Sequence, residues 1–277
     1  MYKRQIYEDG EIFVSYTEDR GDDKTSTSIA RGFIENDSFS EIENIFQSGS
    51  SWNNIHWGSR LMFKDGLLYA SIGERGYGSV AQDPTSYFGK MIRINKDGSA
   101  PKDNPYSMNE DWLPEIYQIG LRNPQGIMLY PNDSEIYITN HGPRGGDFFG
   151  KVEAGTNYGW ADVAWGGIDY DGSIIGDGSA WKEGLLKPIY TWIPSIAVSD
   201  MTYYGGDLFP ELKNKILVAS LKAQRLISLE FDGKKARNET TLFEKVGRVR
   251  DVETNSAGEI YVIIDNEDSG IWKLVNK

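Results

Sequence analysis

Asp65-Gly66-Leu67-Leu68-Tyr69-Ala70-Ser71-Ile72-Gly73 reads as a tight turn followed by a short strand. The Asp-Gly pair suits backbone at positive φ, and the apolar and aromatic run after it suits a well-buried strand. The same phrase stands upstream as Asp9-Gly10-Glu11-Ile12-Phe13-Val14-Ser15-Tyr16. It returns as Asn132-Asp133-Ser134-Glu135-Ile136-Tyr137-Ile138-Thr139 and, more weakly, as Asn214-Lys215-Ile216-Leu217-Val218-Ala219-Ser220-Leu221. The last copy is Ala257-Gly258-Glu259-Ile260-Tyr261-Val262-Ile263-Ile264. Copies roughly 45 to 80 residues apart lie near the length of a propeller blade with its loops. No segment longer than about ten residues has helical periodicity. The best exception, Ser107 to Ile119, is interrupted by Pro114. A generic all-β sandwich is the plain alternative, and recurrence of one phrase favours radial repetition.

Bulk properties agree with a single all-β domain. The 277 residues include 31 glycines, 16 tyrosines and 8 tryptophans, which suits short strands joined by tight turns. The formal net charge is -12. Such a surface repels nucleic acid and anionic lipid, so neither is expected as a partner, and an anionic ligand requires a local basic pocket. The absence of cysteine excludes disulfides and thiolate metal sites. No run of 18 apolar residues exists, so no membrane insertion is expected.

Residues at the strand tips carry the chemistry. The chain has two histidines, His56 and His141. His56 precedes the Asp65 phrase and Glu74 ends it, so adjacent strands can bring imidazole and carboxylate together. A structural histidine is the bland alternative. The run Asn140-His141-Gly142-Pro143-Arg144-Gly145-Gly146-Asp147 is a loop whose carbonyls suit a hard cation such as calcium, and equally a surface turn. Arg248 and Arg250 alternate on one strand face, Lys222 follows Leu221, and Arg122 precedes Asn123. Each alone is consistent with surface solvation; together at converging strand ends they can form a basic pocket.

Gly120-Leu121-Arg122-Asn123-Pro124-Gln125-Gly126, the His141–Asp147 run and Asn157-Tyr158-Gly159-Trp160 resemble the glucose/sorbosone dehydrogenase family. More narrowly, they resemble soluble aldose sugar dehydrogenases that use pyrroloquinoline quinone (PQQ). Phe88-Gly89-Lys90-Met91-Ile92-Arg93-Ile94, Trp192-Ile193-Pro194-Ser195-Ile196-Ala197 and Arg248-Val249-Arg250-Asp251-Val252 extend the resemblance over essentially the whole chain. It implies a six-bladed propeller of four-stranded antiparallel sheets. The family pattern also has an upstream segment, with an early Trp strand and a Gln-Gly-Gly-Leu stretch, that this sequence lacks. The expectation is therefore about five blades in one domain over residues 1–277, without the N-terminal blade region, and an open sheet edge.

The resemblance also assigns roles. His56 matches the general base, and Glu74 its carboxylate partner, where the family usually has aspartate. Arg122 and Asn123 match residues near the quinone; Lys222, Arg248 and Arg250 match those that pair with its carboxylates and oxygens. Trp192 and Ser195 match the pocket wall. The carbonyls of Gly142 and Pro143 match the calcium ligands. Phe148 stands where the family usually has glutamate, which argues against a second calcium because phenylalanine offers no ligand. The implied activity is oxidation of an aldose to its lactone by hydride transfer to PQQ, with calcium as Lewis acid and an external electron acceptor. A periplasmic or secreted location comes with the resemblance. The rival expectations are a carbohydrate-binding propeller without redox work and a protein-interaction propeller.

Overall fold

The computed structural model describes residues 4–36, 38–267 and 269–275. It is an all-β propeller of antiparallel sheets, each built from strands consecutive in the chain. The first sheet holds β1 (Arg4–Glu8), β2 (Glu11–Asp19), β3 (Thr25–Glu35) and β4 (Ser38–Gln47). The second holds β5 (Gly58–Lys64), β6 (Leu67–Ile72), β7 (Lys90–Ile94) and β8 (Ile116–Gln118). The third holds β9 (Pro124–Tyr130), β10 (Glu135–Asn140), β11 (Asp147–Lys151) and β12 (Tyr190–Trp192). The fourth holds β13 (Val198–Tyr204), β14 (Lys215–Ser220), β15 (Arg225–Phe231) and β16 (Ala236–Glu244). The fifth has three strands among the described residues: β17 (Arg248–Thr254), β18 (Ile260–Asp265) and β19 (Gly270–Lys273). No helix among the described residues is long and apolar enough to cross a membrane.

The five repeated phrases are the second strands of the five sheets: β2, β6, β10, β14 and β18. The turn chemistry explains why. Asp9 and Gly10 have φ of 52° and 89°, and Asp65 and Gly66 have 54° and 75°. Each pair forms a two-residue loop, closing Glu8 on Glu11 and Lys64 on Leu67. Positive φ at both central residues gives the turn whose twist matches antiparallel strands.

Side-chain alternation then separates a propeller from a sandwich. On β6, Leu68, Ala70 and Ile72 pack with Phe13, Ile29 and Phe46 of the first sheet, while Tyr69 faces the third sheet's Ile136 and Ile138. On β14, Ile216 and Val218 join the core shared with the third sheet, and Leu217 and Ala219 the core shared with the fifth. Middle sheets therefore bury both faces, and the second strands read as nearly continuous apolar runs. The innermost strands β1, β5, β9, β13 and β17 stand side by side in that order. Buried Arg60 on β5 ties four of them together, β5, β9, β13 and β17: its guanidinium reaches the Gln125 carbonyl, the Ser199 carbonyl at 3.1 Å, Asp200 at 2.8 Å and Asp251 at 3.3 Å. Between β1 and the fifth sheet lies a cleft of about 630 Å³, bordered by Ile6, Tyr261, Ile263 and Ile271.

Candidate functional site

One close crossing of backbones builds the centre of the site. The segment entering β5 passes directly over the residue that follows β6, and Gly73 N–H donates to the Trp57 carbonyl at 3.1 Å. A Cβ on Gly73 would stand 1.9 Å from the His56 carbonyl oxygen, so only glycine permits the approach. His56 itself has φ +52°, a left-handed conformation that turns its ring toward the next residue of the crossing strand. The result is a 2.5 Å contact between His56 Nδ1 and Glu74 Oε1. The sequence expectation for this pair is met in space.

Neighbouring groups hold both partners. Glu74 Oε2 accepts from Gly78 N–H at 3.0 Å, and Glu74 N–H donates to the Arg122 carbonyl at 2.9 Å. Burial pushes the Glu74 carboxyl up, but the hydrogen bond and charge of His56, the Gly78 N–H and Arg122 more than offset it and leave it below its ordinary value. Arg75, which sequence reasoning missed, clamps the other side. Its Nε donates to the Ile55 carbonyl at 3.0 Å and its Nη2 to Thr25 Oγ1 at 2.7 Å and to the Asn53 carbonyl. Its guanidinium lies over Trp57 at 5.0 Å. Burial pulls it down to about 10, so it remains a cation at neutral pH. The only signal for it was its place next to Glu74.

Arg122 and Asn123 enter from the loop before β9. Asn140 Oδ1 accepts both their backbone N–H groups, at 3.2 and 2.9 Å. Arg122 Nη1 donates to the Gly142 carbonyl at 3.2 Å, and its guanidinium sits between the Trp160 and Tyr170 rings at 5.4 and 5.7 Å. The Gly142–Gly146 loop is shaped by buried Asp147, whose carboxylate accepts from Gly142, Ala197 and Val198 N–H at 2.8, 2.6 and 3.2 Å.

Two cavities meet at His56. One, of about 240 Å³, is lined by Thr17, Trp57, Asn123, Gln125, His141 and Arg250. The other, of about 380 Å³, is lined by Glu74, Arg122, Trp160, Asp169 and Tyr170. Three buried ring nitrogens on these walls have no partner among the described residues: Trp57 Nε1, His141 Nε2 and Trp160 Nε1. Buried polar atoms are rarely left so, and their grouping around one histidine marks a place built for a polar ligand. Burial first, then the Arg122 charge, pushes His141 down to about 3, so its ring is neutral and not a competing base.

The structure thus gathers His56, Glu74, Arg122, Asn123 and Arg250, with the Gly142 carbonyl alongside. Other expected residues lie apart. Trp192 is in the core between the third and fourth sheets, with its N–H on Glu239 Oε2 at 2.7 Å, and lines neither cavity. Its pairing opposite Asp147 sends its side chain inward and leaves Ile193 61% exposed. Ser195 Oγ accepts from Asp147 N–H at 3.3 Å and supports the loop from behind. Lys222 is exposed, and Arg248 is half-exposed with its Nε 3.6 Å from Asp265. Arg250 shares that carboxylate at 2.6 Å. Phe148 is buried against Tyr158, with ring centroids 4.6 Å apart.

Comparison with known proteins places this geometry. Residues 1–273 match the Glucose / Sorbosone dehydrogenase family. The chain is 32% identical over 269 residues to the aldose sugar dehydrogenase YliI of Escherichia coli (strain K12), covering 95% of this chain and 72% of that protein. It is 32% identical over 185 residues to quinoprotein glucose dehydrogenase B of Acinetobacter calcoaceticus, covering 57% of this chain and 37% of that protein. Among solved structures, a glucose dehydrogenase crystal structure superposes with a TM-score of 0.92 at 30% identity, covering 97% of this chain and 79% of that one.

Proposed function

The chain belongs to the glucose/sorbosone dehydrogenase family, and from that premise we propose that it oxidises the C1 hydroxyl of an aldose to the lactone, with PQQ as hydride acceptor and calcium as Lewis acid. The observation that carries this reading is the His56–Glu74 pair, 2.5 Å apart where two cavities meet. The names of the two relatives point the same way, one an aldose sugar dehydrogenase and the other a quinoprotein.

The residues present fit such a cofactor. Unpartnered Trp57 Nε1, His141 Nε2 and Trp160 Nε1 offer hydrogen-bonding positions, and Arg122 and Arg250 bring positive charge into a chain of net charge -12. Asn123, Arg122 and Arg250 would hold the quinone. The Gly142 and Pro143 carbonyls would hold calcium, a hard cation that takes oxygen ligands. Gly142 accepts Arg122 Nη1 at 3.2 Å and keeps a second lone pair. When bound, this group supplies a hydride acceptor polarised by the metal.

The protein's own work is proton transfer and positioning. With Nδ1–H donated to Glu74, His56 Nε2 carries the free lone pair and takes the proton of the C1 hydroxyl. The electron pair released on O1 becomes the second C–O bond of the lactone as hydride leaves C1. Ionised Glu74 fixes the tautomer and stabilises the imidazolium that forms. Arg122, its guanidinium over the Trp160 and Tyr170 rings, brings a positive charge into the same cavity as His56 and would stabilise negative charge that develops there.

The test is dye-linked oxidation of glucose and other aldoses by the purified chain with calcium, with and without PQQ. The expected result is PQQ-dependent turnover with lactone as product. No turnover with any aldose, together with no PQQ binding, would move the reading to a carbohydrate-binding propeller.

A further inference from the structure

We propose that the hairpin Ile168 to Ile174 is the sugar-selecting wall of the site, with Tyr170 as the platform for the sugar's C–H face and Asp169 as an acceptor for its hydroxyls. The proposal rests on the reading above, in which an aldose presents C1 to His56.

The stretch between β11 and β12 contains no strand of a sheet, yet it is locally built. Ile168 and Ile174 form an antiparallel bridge. Asp169 N–H donates to the Ser173 carbonyl at 2.9 Å, and Gly172 N–H to the Asp169 carbonyl at 3.1 Å. Ile175 N–H donates to the Gly167 carbonyl at 3.0 Å, and the Ile175 side chain is buried. A short hairpin with an anchored base therefore projects beside the site.

Its tip faces the chemistry. Tyr170 and Asp169 line the cavity of about 380 Å³ that also holds His56, Glu74 and Arg122. That volume lies within the roughly 300 to 1,000 Å³ of small-molecule sites. Tyr170 is 63% exposed although its ring is 5.7 Å from the Arg122 guanidinium, so one large surface remains to be covered. Asp169 is half-buried, takes the Tyr170 N–H at 2.7 Å on one oxygen, and has no ion-pair partner among the described residues. A pyranose has an apolar C–H face and an edge of hydroxyl donors. An aromatic ring beside a carboxylate with acceptor capacity complements both.

The other cavity at His56 differs. It has no carboxylate in its lining and carries Arg250 and Asn123, which suits an anionic ligand. The two sides of His56 thus differ in their carboxylates: only the hairpin side has Glu74 and Asp169, beside Arg122, so it offers both acceptors and a donor to a polyol.

The test compares wild type with Tyr170→Ala, Tyr170→Phe and Asp169→Asn, all loaded with PQQ and calcium. Three quantities are read: PQQ affinity by fluorescence titration, KM and kcat for glucose, and saturation-transfer NMR from protein to sugar. Loss of one ring contact or hydroxyl acceptor predicts a KM increase of about tenfold in Tyr170→Ala and Asp169→Asn. Tyr170→Phe keeps the ring and is expected to keep a KM near wild type. PQQ affinity and kcat are expected to stay within about twofold in Asp169→Asn, where the lost contact is uniform binding, and in Tyr170→Phe, which keeps the ring over Arg122. In Tyr170→Ala the KM is read against any change in PQQ affinity, because that variant also removes one of the two rings at Arg122. Unchanged KM in both Tyr170→Ala and Asp169→Asn overturns the proposal. If the wild type oxidises no aldose, the dehydrogenase reading fails separately and NMR decides the wall. Sugar signals that Tyr170→Ala removes support it; signals equal in both proteins, or absent with every sugar in wild type, overturn it.

Discussion

Gly73→Ala is a one-carbon change that the site cannot absorb. The added Cβ would lie 1.9 Å from the His56 carbonyl oxygen and 2.5 Å from its carbon, against backbone on both counts. Restoring even a tight non-bonded distance requires the strands to part by at least about 1 Å. His56 and Glu74 sit on the two sides of that crossing, so their 2.5 Å contact opens by a comparable amount. A misplacement of about 1 Å in a catalytic pair commonly costs on the order of 100-fold in rate. The expected result is therefore a kcat/KM about 100-fold below wild type in the dye-linked assay. Gly66→Ala is the control, because Gly66 has φ +75° and nothing near its added Cβ. It should cost about 1 kcal/mol of stability through backbone strain and leave turnover intact. A folded Gly73→Ala protein, judged by its thermal transition, that retains turnover within about threefold of wild type would refute the argument.

Three further perturbations probe other links. Glu74→Gln removes a hydrogen bond to a charged partner worth roughly 1.5–3 kcal/mol, so kcat should fall about 10- to 150-fold while PQQ affinity is kept; equal kcat would show that the carboxylate is not needed. The Glu74 carboxyl lies below its ordinary 4.5 in the fold, so its stabilisation is present above pH 4.5 and lost as pH falls through the folded value. Urea unfolding should accordingly show a steeper acid loss in wild type than in Glu74→Gln. Lys90 is fully buried with Nζ on the Val80 and Phe88 carbonyls, and burial pulls it from 10.5 down to about 7, with the Asp83 charge opposing. The unfolded chain binds that proton more tightly, so stability rises with pH between 7 and 10.5, and Lys90→Met should flatten the rise in Tm; identical slopes would contradict it. Calcium chelation should abolish turnover and added calcium restore it, and turnover that survives chelation would remove the role assigned to the Gly142 and Pro143 carbonyls.

The parts of this architecture legible in the sequence are those set by local chemistry. Asp9-Gly10 and Asp65-Gly66 announce two-residue turns, and the strands after them are the second strands of their sheets. His56 and Glu74 could be paired because each stands just outside the same hairpin. What the sequence does not place depends on register and tertiary packing. Whether Trp192 or Ile193 faces a cavity is decided by pairing with Asp147, and a shift of one residue exchanges the two. Lys222 and Arg248 have the right charge, but their exposure depends on where the strand ends sit. Arg75 carried no signal beyond its place next to Glu74, although it is wholly buried and holds the Asn53 and Ile55 carbonyls of the His56 segment and the Thr25 hydroxyl of β3. The hairpin at Ile168 has no strand pattern in its sequence; its position beside Arg122 comes from long-range packing.

The most direct test of the account is single-turnover reduction of PQQ bound to His56→Ala, followed by absorbance after mixing with glucose in the presence of calcium. The account predicts that the variant binds PQQ about as tightly as wild type and that the bound quinone is not reduced on the wild-type timescale. Reduction at the wild-type rate would contradict the assignment of His56 as the base and, with it, the reading of the paired residues at the meeting of the two cavities.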